Sequence, residues 1–470
     1  MGARGSGSRG ALGTAGGTCA GGGVRGVGLL VLLLGAGCGG TARAPGTIAL
    51  WAMGSEGEVV EQLLPEFERR HPEHRVDVQR VPWSAAHEKL LTAWVGGSMP
   101  DVVQVGNTWI PELVVLGALE PLDARVAASA VVDRADYFPG VLDPNVVDGA
   151  TWGVPWYVDT RVLFYRDDLL AAAGHPGPPR TWDAAEAAMA AVAARGGPAA
   201  HAILLPPTEW QPLVLLAFAE GATLLARGDC RGAFRDPAFR AALARYVDLF
   251  RRGFAPLGGA ATAANVYQDF ARGDVAFFIT GPWNLGEFAR RLPTALADRW
   301  TTAPLPAVAG PPPGPSLAGG ASLVLVRGTP HADAAWQLVE FLSEPEQQVR
   351  LYTLTGDLPA RRTAWRDTAL AGAPRVAAFR SQLEHLRATP KIPEWERIAD
   401  KIAQYAEAAI RNDLTIDQAL AALDADVDTI LEKRRWLGRC GSVTTASSDG
   451  IAIECSTTSG ARLPVSPSQR

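Results

Sequence analysis

The chain has 470 residues, 47% of them hydrophobic and 20% charged, enough to bury a large core and divide into two domain-sized units, which excludes a disordered or fibrous protein. Its formal net charge is −5, and its basic residues are almost all arginine, with lysine only at Lys89, Lys391, Lys401 and Lys433. Without a basic stripe there is no electrostatic footprint for nucleic acid.

The chain opens with a Gly-rich stretch over 1–26 that carries Arg4, Arg9 and Arg25 but no acid, followed by an apolar run over 27–34 and Gly35-Ala36-Gly37-Cys38. The apolar run is too short for a membrane span, which needs about 20 residues, so 1–37 reads as an export signal. The small residues before Cys38 resemble the lipobox of bacterial lipoproteins, with Gly35 where Leu is usual and Leu34 one place further off. Cys38 is therefore the expected lipidation site, and 38–46 a linker. Two acyl chains at about 0.8 kcal/mol per buried CH₂ would hold a soluble body at the membrane surface, outside the cytoplasm.

Residues 47–51 read as a first buried strand, 58–70 as a helix kinked at Pro65, and 75–81 as a second, alternating strand. A helix follows around 87–94, then a short strand over 100–105 running into a loop at Gly106-Asn107-Thr108-Trp109. Strand, helix, strand is the opening of a parallel α/β sheet, whose ligand sites lie in loops at the carboxyl ends of strands. Asp167-Asp168 reads as a cap at a helix start. Further helices are predicted over 182–195, 239–252 and 332–342, and strands over 275–280 and 321–326, while the Pro/Gly-rich stretch 304–315 reads as a crossing segment or surface loop.

The cysteines Cys19, Cys38, Cys230, Cys440 and Cys455 show no C-x-x-C spacing and no adjoining His pair, so neither a metal site nor a disulfide scaffold is expected. Cys230 reads as a small apolar filler. From 437 to 470 the composition turns to Gly, Ser, Thr and Pro, predicting a disordered tail. In it Cys440 and Cys455 either pair with each other or belong to an extension without a role.

Several ordered blocks between 47 and 436 resemble family 1 extracellular solute-binding proteins, the group holding the maltose- and trehalose-binding lipoproteins of bacterial ABC importers. They include Pro100-Asp101-Val102-Val103, Gly153-Val154-Pro155-Trp156-Tyr157-Val158-Asp159-Thr160, Arg180-Thr181-Trp182-Asp183, Phe277-Phe278-Ile279-Thr280-Gly281-Pro282-Trp283-Asn284, Ala318-Gly319-Gly320 and Gly356-Asp357-Leu358-Pro359-Ala360-Arg361. The resemblance implies an α/β, two-lobed periplasmic-binding-protein type II fold with a hinge and an interlobe cleft. One lobe would take 47–154 with 316–357, the other 155–303 with 358–436. It also implies a monomer without cofactor, not an enzyme, that passes a sugar to permease subunits.

Sugars present hydroxyl rims and apolar C–H faces, so their sites combine flat aromatic rings with planar hydrogen-bonding groups. By position within the family pattern, ligand contacts are expected from Ser55 and Glu56, Asn107 and Trp109, Tyr157 and Asp159, Glu209 and Trp210, and Trp283. Gly319 and Gly320 would let backbone approach the ligand, Asp357 and Arg361 would grip hydroxyls, and Trp395 would add a platform. The competing readings are a binding protein for a polyol or glycerol-phosphate-type solute, and a secreted glycoside hydrolase, which needs two carboxyls about 5 to 10 Å apart.

Overall fold

The structure is a computed structural model in which residues 46–196, 201–258 and 265–440 are described. The export signal, Cys38, most of the linker and Cys455 lie outside them. Ten strands make two sheets. They are β1 (Thr47–Met53), β2 (Arg75–Val81), β3 (Val102–Gly106), β4 (Val154–Val158), β5 (Val162–Arg166), β6 (Ile203–Leu204), β7 (Phe277–Thr280), β8 (Trp300–Ala303), β9 (Gly320–Leu325) and β10 (Leu358–Pro359).

The six-stranded sheet runs β10-β4-β9-β3-β1-β2 and the four-stranded one β8-β5-β7-β6. β1 is parallel to both β2 and β3, whereas β9 is antiparallel to β3 and β4. The chain therefore leaves the first sheet after β4 and enters the second at β5, across residues 159–161.

β1 explains why the first sheet is buried on both faces. Its residues alternate between Ile48, Leu50 and Ala52 in one apolar cluster and Trp51 and Met53 in another, the period of two that a pleated strand imposes. β2 lies at the edge and keeps Arg75, Asp77, Gln79 and Arg80 largely toward solvent, charges that block pairing with another sheet. The second sheet has its own core, in which Leu163, Tyr165, Trp182, Phe239, Tyr246 and Trp395 are buried together.

The 58–70 segment is broken rather than kinked. Helix α1 (Gly54–Val59) passes through a 3₁₀ turn (Val60–Gln62), and α2 (Leu64–Arg70) restarts with Pro65 in its first turn, where a residue without an N–H fits. Asp168 does not cap its helix, which begins at Asp167 after an uncapped Arg166. Instead its carboxylate takes two 2.8 Å hydrogen bonds from the Arg166 guanidinium.

The cysteines overturn two expectations. Cys230 is no isolated filler, and Cys440 pairs with it rather than with Cys455, across Cα atoms 5.5 Å apart. Residues 437–440 are thus tied down rather than part of a loose tail. The bridge fastens α9 (Glu432–Trp436), whose Arg435 also donates to the Cys230 carbonyl at 2.9 Å and the Asp428 carbonyl at 2.7 Å. The two partners are 210 residues apart, so the bridge constrains a large part of the unfolded chain. Cys230→Ser is expected to cost about 2–4 kcal/mol of stability, measured by denaturant unfolding, and reduction of the wild type to cost a similar amount.

Candidate ligand-binding cleft

One cleft of about 760 Å³ is lined by residues of the first sheet and by loops and helix starts that follow strands of both sheets. Its floor is built at the carboxyl end of β1, where Ser55 and Glu56 open α1, and at residue 357, just before β10. Glu56 is 4% exposed and Asp357 1% exposed, yet Glu56 Oε2 and both Asp357 carboxylate oxygens meet no hydrogen-bond donor. The nearby Thr355 hydroxyl is occupied, donating to the Leu351 carbonyl at 2.9 Å and accepting from the Asp357 amide at 3.0 Å. Burial, and next the adjoining Glu56 carboxylate, push the Asp357 carboxyl well above the usual carboxylate range.

Beside this pair Tyr157 is buried on β4. Its hydroxyl accepts from Gln104 Nε2 at 3.1 Å, and Gln104 Oε1 accepts from the Met53 amide at 2.7 Å. That chain of bonds fixes β1, β3 and β4 in register beneath the floor. Burial, with Glu56 and Asp357 adding to it, raises the Tyr157 hydroxyl well above its ordinary pKa, so it stays neutral.

The crossing from β4 to β5 supplies Asp159 and Arg161, an ion pair in which the guanidinium also lies 4.5 Å from the centre of the Trp283 ring. Burial raises Asp159, with Arg161 opposing it, and raises Glu209 across the cleft in the same way. Trp283 begins helix α5 (Trp283–Arg291), which follows β7 through Gly281-Pro282. Its ring lies over Gly281, where a Cβ would come within 1.8 Å, so the Gly-Pro turn is what gives the indole room.

Of the residues expected from sequence, Ser55, Glu56, Asn107, Trp109, Tyr157, Asp159, Glu209, Trp210, Trp283, Gly319, Gly320 and Asp357 all line this cleft. Asn107 does so while tied down, its amide donating to the Ala318 carbonyl at 2.8 Å. The two glycines also have a purpose in the fold. A Cβ on Gly319 would sit 2.0 Å from the Asp159 carbonyl and one on Gly320 2.6 Å from that of Tyr157, so their smallness lets β9 close on β4.

Two expected residues are elsewhere. Arg361 is 7% exposed and committed to the fold, bonded to Asp136 Oδ2 at 2.6 Å and to the Val131 carbonyl at 2.6 Å. Trp395 is fully buried at the start of α7 (Trp395–Ile410), with its ring edge-on to Trp210 at 5.3 Å. It backs a wall of the cleft without lining it.

Sequence reasoning missed Trp83, Arg161, Tyr267, Arg290, Arg291 and Glu396, which also line the cleft. Glu396 was legible in principle, because a Trp395 facing the core turns its helical neighbour elsewhere. The cations have partners: Arg290 and Arg291 both bind Glu287. No group of His, Cys, Asp and Glu among the described residues is arranged to hold a metal ion.

A family model for bacterial extracellular solute-binding proteins matches residues 53–349. The chain belongs to this family. Among solved structures, this solute-binding protein resembles the sugar-binding protein MalE from Xanthomonas citri, with 46% identity, 84% of this chain and 100% of that one covered, and a TM-score of 0.79. The diacetylchitobiose-binding protein DasA of Streptomyces coelicolor is 26% identical over 79% of this chain and 87% of its own length. A lipoprotein encoded upstream of oleD in Streptomyces antibioticus is 28% identical over 80% and 84%. The fold is thereby the two-lobed type II binding-protein fold, with the cleft between its lobes, and the solute-binding protein is not an enzyme. Among the described residues no helix is long and apolar enough to cross a membrane.

The raised Asp357 carboxyl has a consequence for stability. A carboxyl with a folded pKa above its unfolded one binds extra protons when folded, so stability falls as pH rises above about 4, the unfolded value. Asp357→Asn is expected to make the unliganded protein more stable at pH 7 by about 1–3 kcal/mol, with the gain vanishing near pH 4. Urea unfolding at the two pH values measures it.

Proposed function

We propose that this protein captures a sugar in the cleft and delivers it to the permease of a bacterial ABC importer. The observation that carries this reading is the floor: the adjoining buried carboxyls of Glu56 and Asp357, which share a proton between them and receive no hydrogen bond at Glu56 Oε2 or on Asp357 from the surrounding chain, facing a cleft that also holds indole rings. A buried acceptor left unsatisfied costs about 1–3 kcal/mol, and a ligand rich in hydroxyls removes that cost on binding. The apolar faces of the same ligand match the Trp rings. The names of the relatives MalE and DasA support a carbohydrate.

A glycerol-phosphate-type solute fits less well. A phosphate at the floor would meet two carboxyls with no cation beside them, since Arg161 is paired with Asp159 and Arg290 and Arg291 with Glu287. We take the lobes to follow the two sheets, a reading that moves β4 and β10 from the second of the expected ranges to the first. The protein works as a monomer outside the cytoplasm, held at the membrane by acylated Cys38, a reading that the lipoprotein relative supports.

A calorimetric screen of the mature protein against mono- and oligosaccharides and sn-glycerol 3-phosphate tests the assignment. A sugar is expected to bind, and Trp283→Ala to weaken it at least about thirtyfold, ~2 kcal/mol, the loss typical of a central aromatic contact. Binding of the phosphate compound alone would refute the sugar reading. For the anchor, Cys38→Ser is expected to move the exported protein from the membrane fraction to the soluble one, read by immunoblot of fractionated cells. Retention in the membrane would remove Cys38 from that role.

A further inference from the structure

The floor of the cleft gathers acids that the chain around it does not balance. Glu56 and Asp357 adjoin, both buried, and Glu56 Oε2 and both Asp357 oxygens receive no hydrogen bond from the surrounding chain. The Asp159 carboxyl acts on Asp357 as well.

The cations of the elements packed around the pair are engaged elsewhere. On the crossing after β4, Arg161 is paired with Asp159. Helix α5 sets its Gly286 against the Thr355 carbonyl, where a Cβ would come within 2.9 Å, and its Arg290 and Arg291 are paired with Glu287. On the helix Pro345–Thr355 that leads to Asp357, Arg350 is bonded to Glu66 at 2.8 Å. Helix α3 (Trp83–Val95) reaches the floor through Trp83, whose indole lies against Gly54. Its His87 is bonded to Glu112 at 2.7 Å, and its Lys89 lies 4.3 Å from the centre of the Trp51 ring. Tyr157, kept neutral by burial, brings no charge.

Two negative charges that adjoin in so dry a place do not both persist, and the pair holds one proton instead. The raised Asp357 carboxyl, pushed up by burial first and by Glu56 next, agrees with this. A bound sugar leaves that balance as it is. It displaces screening water from the cleft and brings no cation. Its hydroxyls donate to one carboxylate, which favours that charge, but the repulsion of a second charge stays. A pair with one proton also suits a hydroxyl-rich guest better than two carboxylates do. It offers an O–H donor beside its acceptors, and a sugar hydroxyl both accepts and donates.

We propose that Glu56 and Asp357 bind the sugar as one acid–carboxylate unit that keeps a single proton through capture, so that affinity is lost where the proton is lost. This rests on the sugar reading of the same cleft and adds a pH dependence to it. Affinity stays level below the pKa of the pair and falls by up to tenfold per pH unit above it. A guest carrying an amine would do the reverse, displacing the proton and binding better as pH rises.

The test is calorimetry on the mature protein and on Asp357→Asn, with glucose, maltose, trehalose and cellobiose as probes. Titrations run from pH 6 to pH 9.5 in paired buffers of different ionisation enthalpy, so that protons exchanged on binding are counted. The wild type is expected to bind its best sugar at least tenfold more weakly at pH 9.5 than at pH 6, with proton uptake approaching one per site at the alkaline end. Asp357→Asn has no proton to lose there and is expected to flatten the profile, whatever its affinity at pH 6. Its melting temperature checks that it is folded. Infrared difference spectra of wild type against Asp357→Asn are expected to show a protonated-carboxyl C=O band at neutral pH, with and without the sugar. Disappearance of that band on binding, proton release in place of uptake, or the same pH profile in wild type and Asp357→Asn overturns the proton-keeping floor and leaves the sugar reading standing. Failure of every saccharide to bind at any pH overturns both.

Discussion

Two adjoining buried carboxyls, which find little beyond each other to bond to, set the terms for this molecule. Glu56 arrives at the floor because β1 ends there, and Asp357 because the helix Pro345–Thr355 ends just before it. Glu56 Oε2 and both Asp357 oxygens are withdrawn from water, with no donor from the surrounding chain in exchange. Such a site is tolerable only when the rest of the structure over-determines it, and here the Met53, Gln104 and Tyr157 bonds pin the strands underneath.

The walls follow from how the chain moves between sheets. Residues 159–161 are both a connection and a lining, so Asp159 and Arg161 are placed by topology rather than by a flexible loop. Gly319 and Gly320 allow β9 to press against that connection, and Asn107 ties the third strand's end to the same place. Trp283 comes from the start of a helix and Trp210 is propped by Trp395. Rigid side chains on separate bodies are what a hinge needs if closing is to bring them together in one geometry.

Much of this was legible in the sequence, and the failures are informative. The strands 47–51 and 75–81, observed as Thr47–Met53 and Arg75–Val81, and the helix 332–342, observed as Ala332–Ser343, follow from periodicities that a buried strand or an amphipathic helix must display. The cleft residues sat at strand ends, which pattern can locate. Arg361 was misplaced because nothing in a linear pattern says whether a buried guanidinium faces a ligand or a carboxylate such as Asp136 from a distant segment. Trp395 was misplaced because one helical step separates lining a cavity from supporting it. The pairing of Cys230 with Cys440 carried no spacing signal, since cysteine connectivity is decided by three-dimensional proximity.

The bridge between Cys230 and Cys440 joins segments that both rest on the second sheet's core, beside Leu225 and Leu431. It spans no joint. Opening and shutting of the two halves therefore leaves its length unchanged, and the covalent reinforcement adds no resistance to the motion. Any load pulling on the chain beyond residue 440 is passed to a single half, as through a bolt set in one jaw of a clamp.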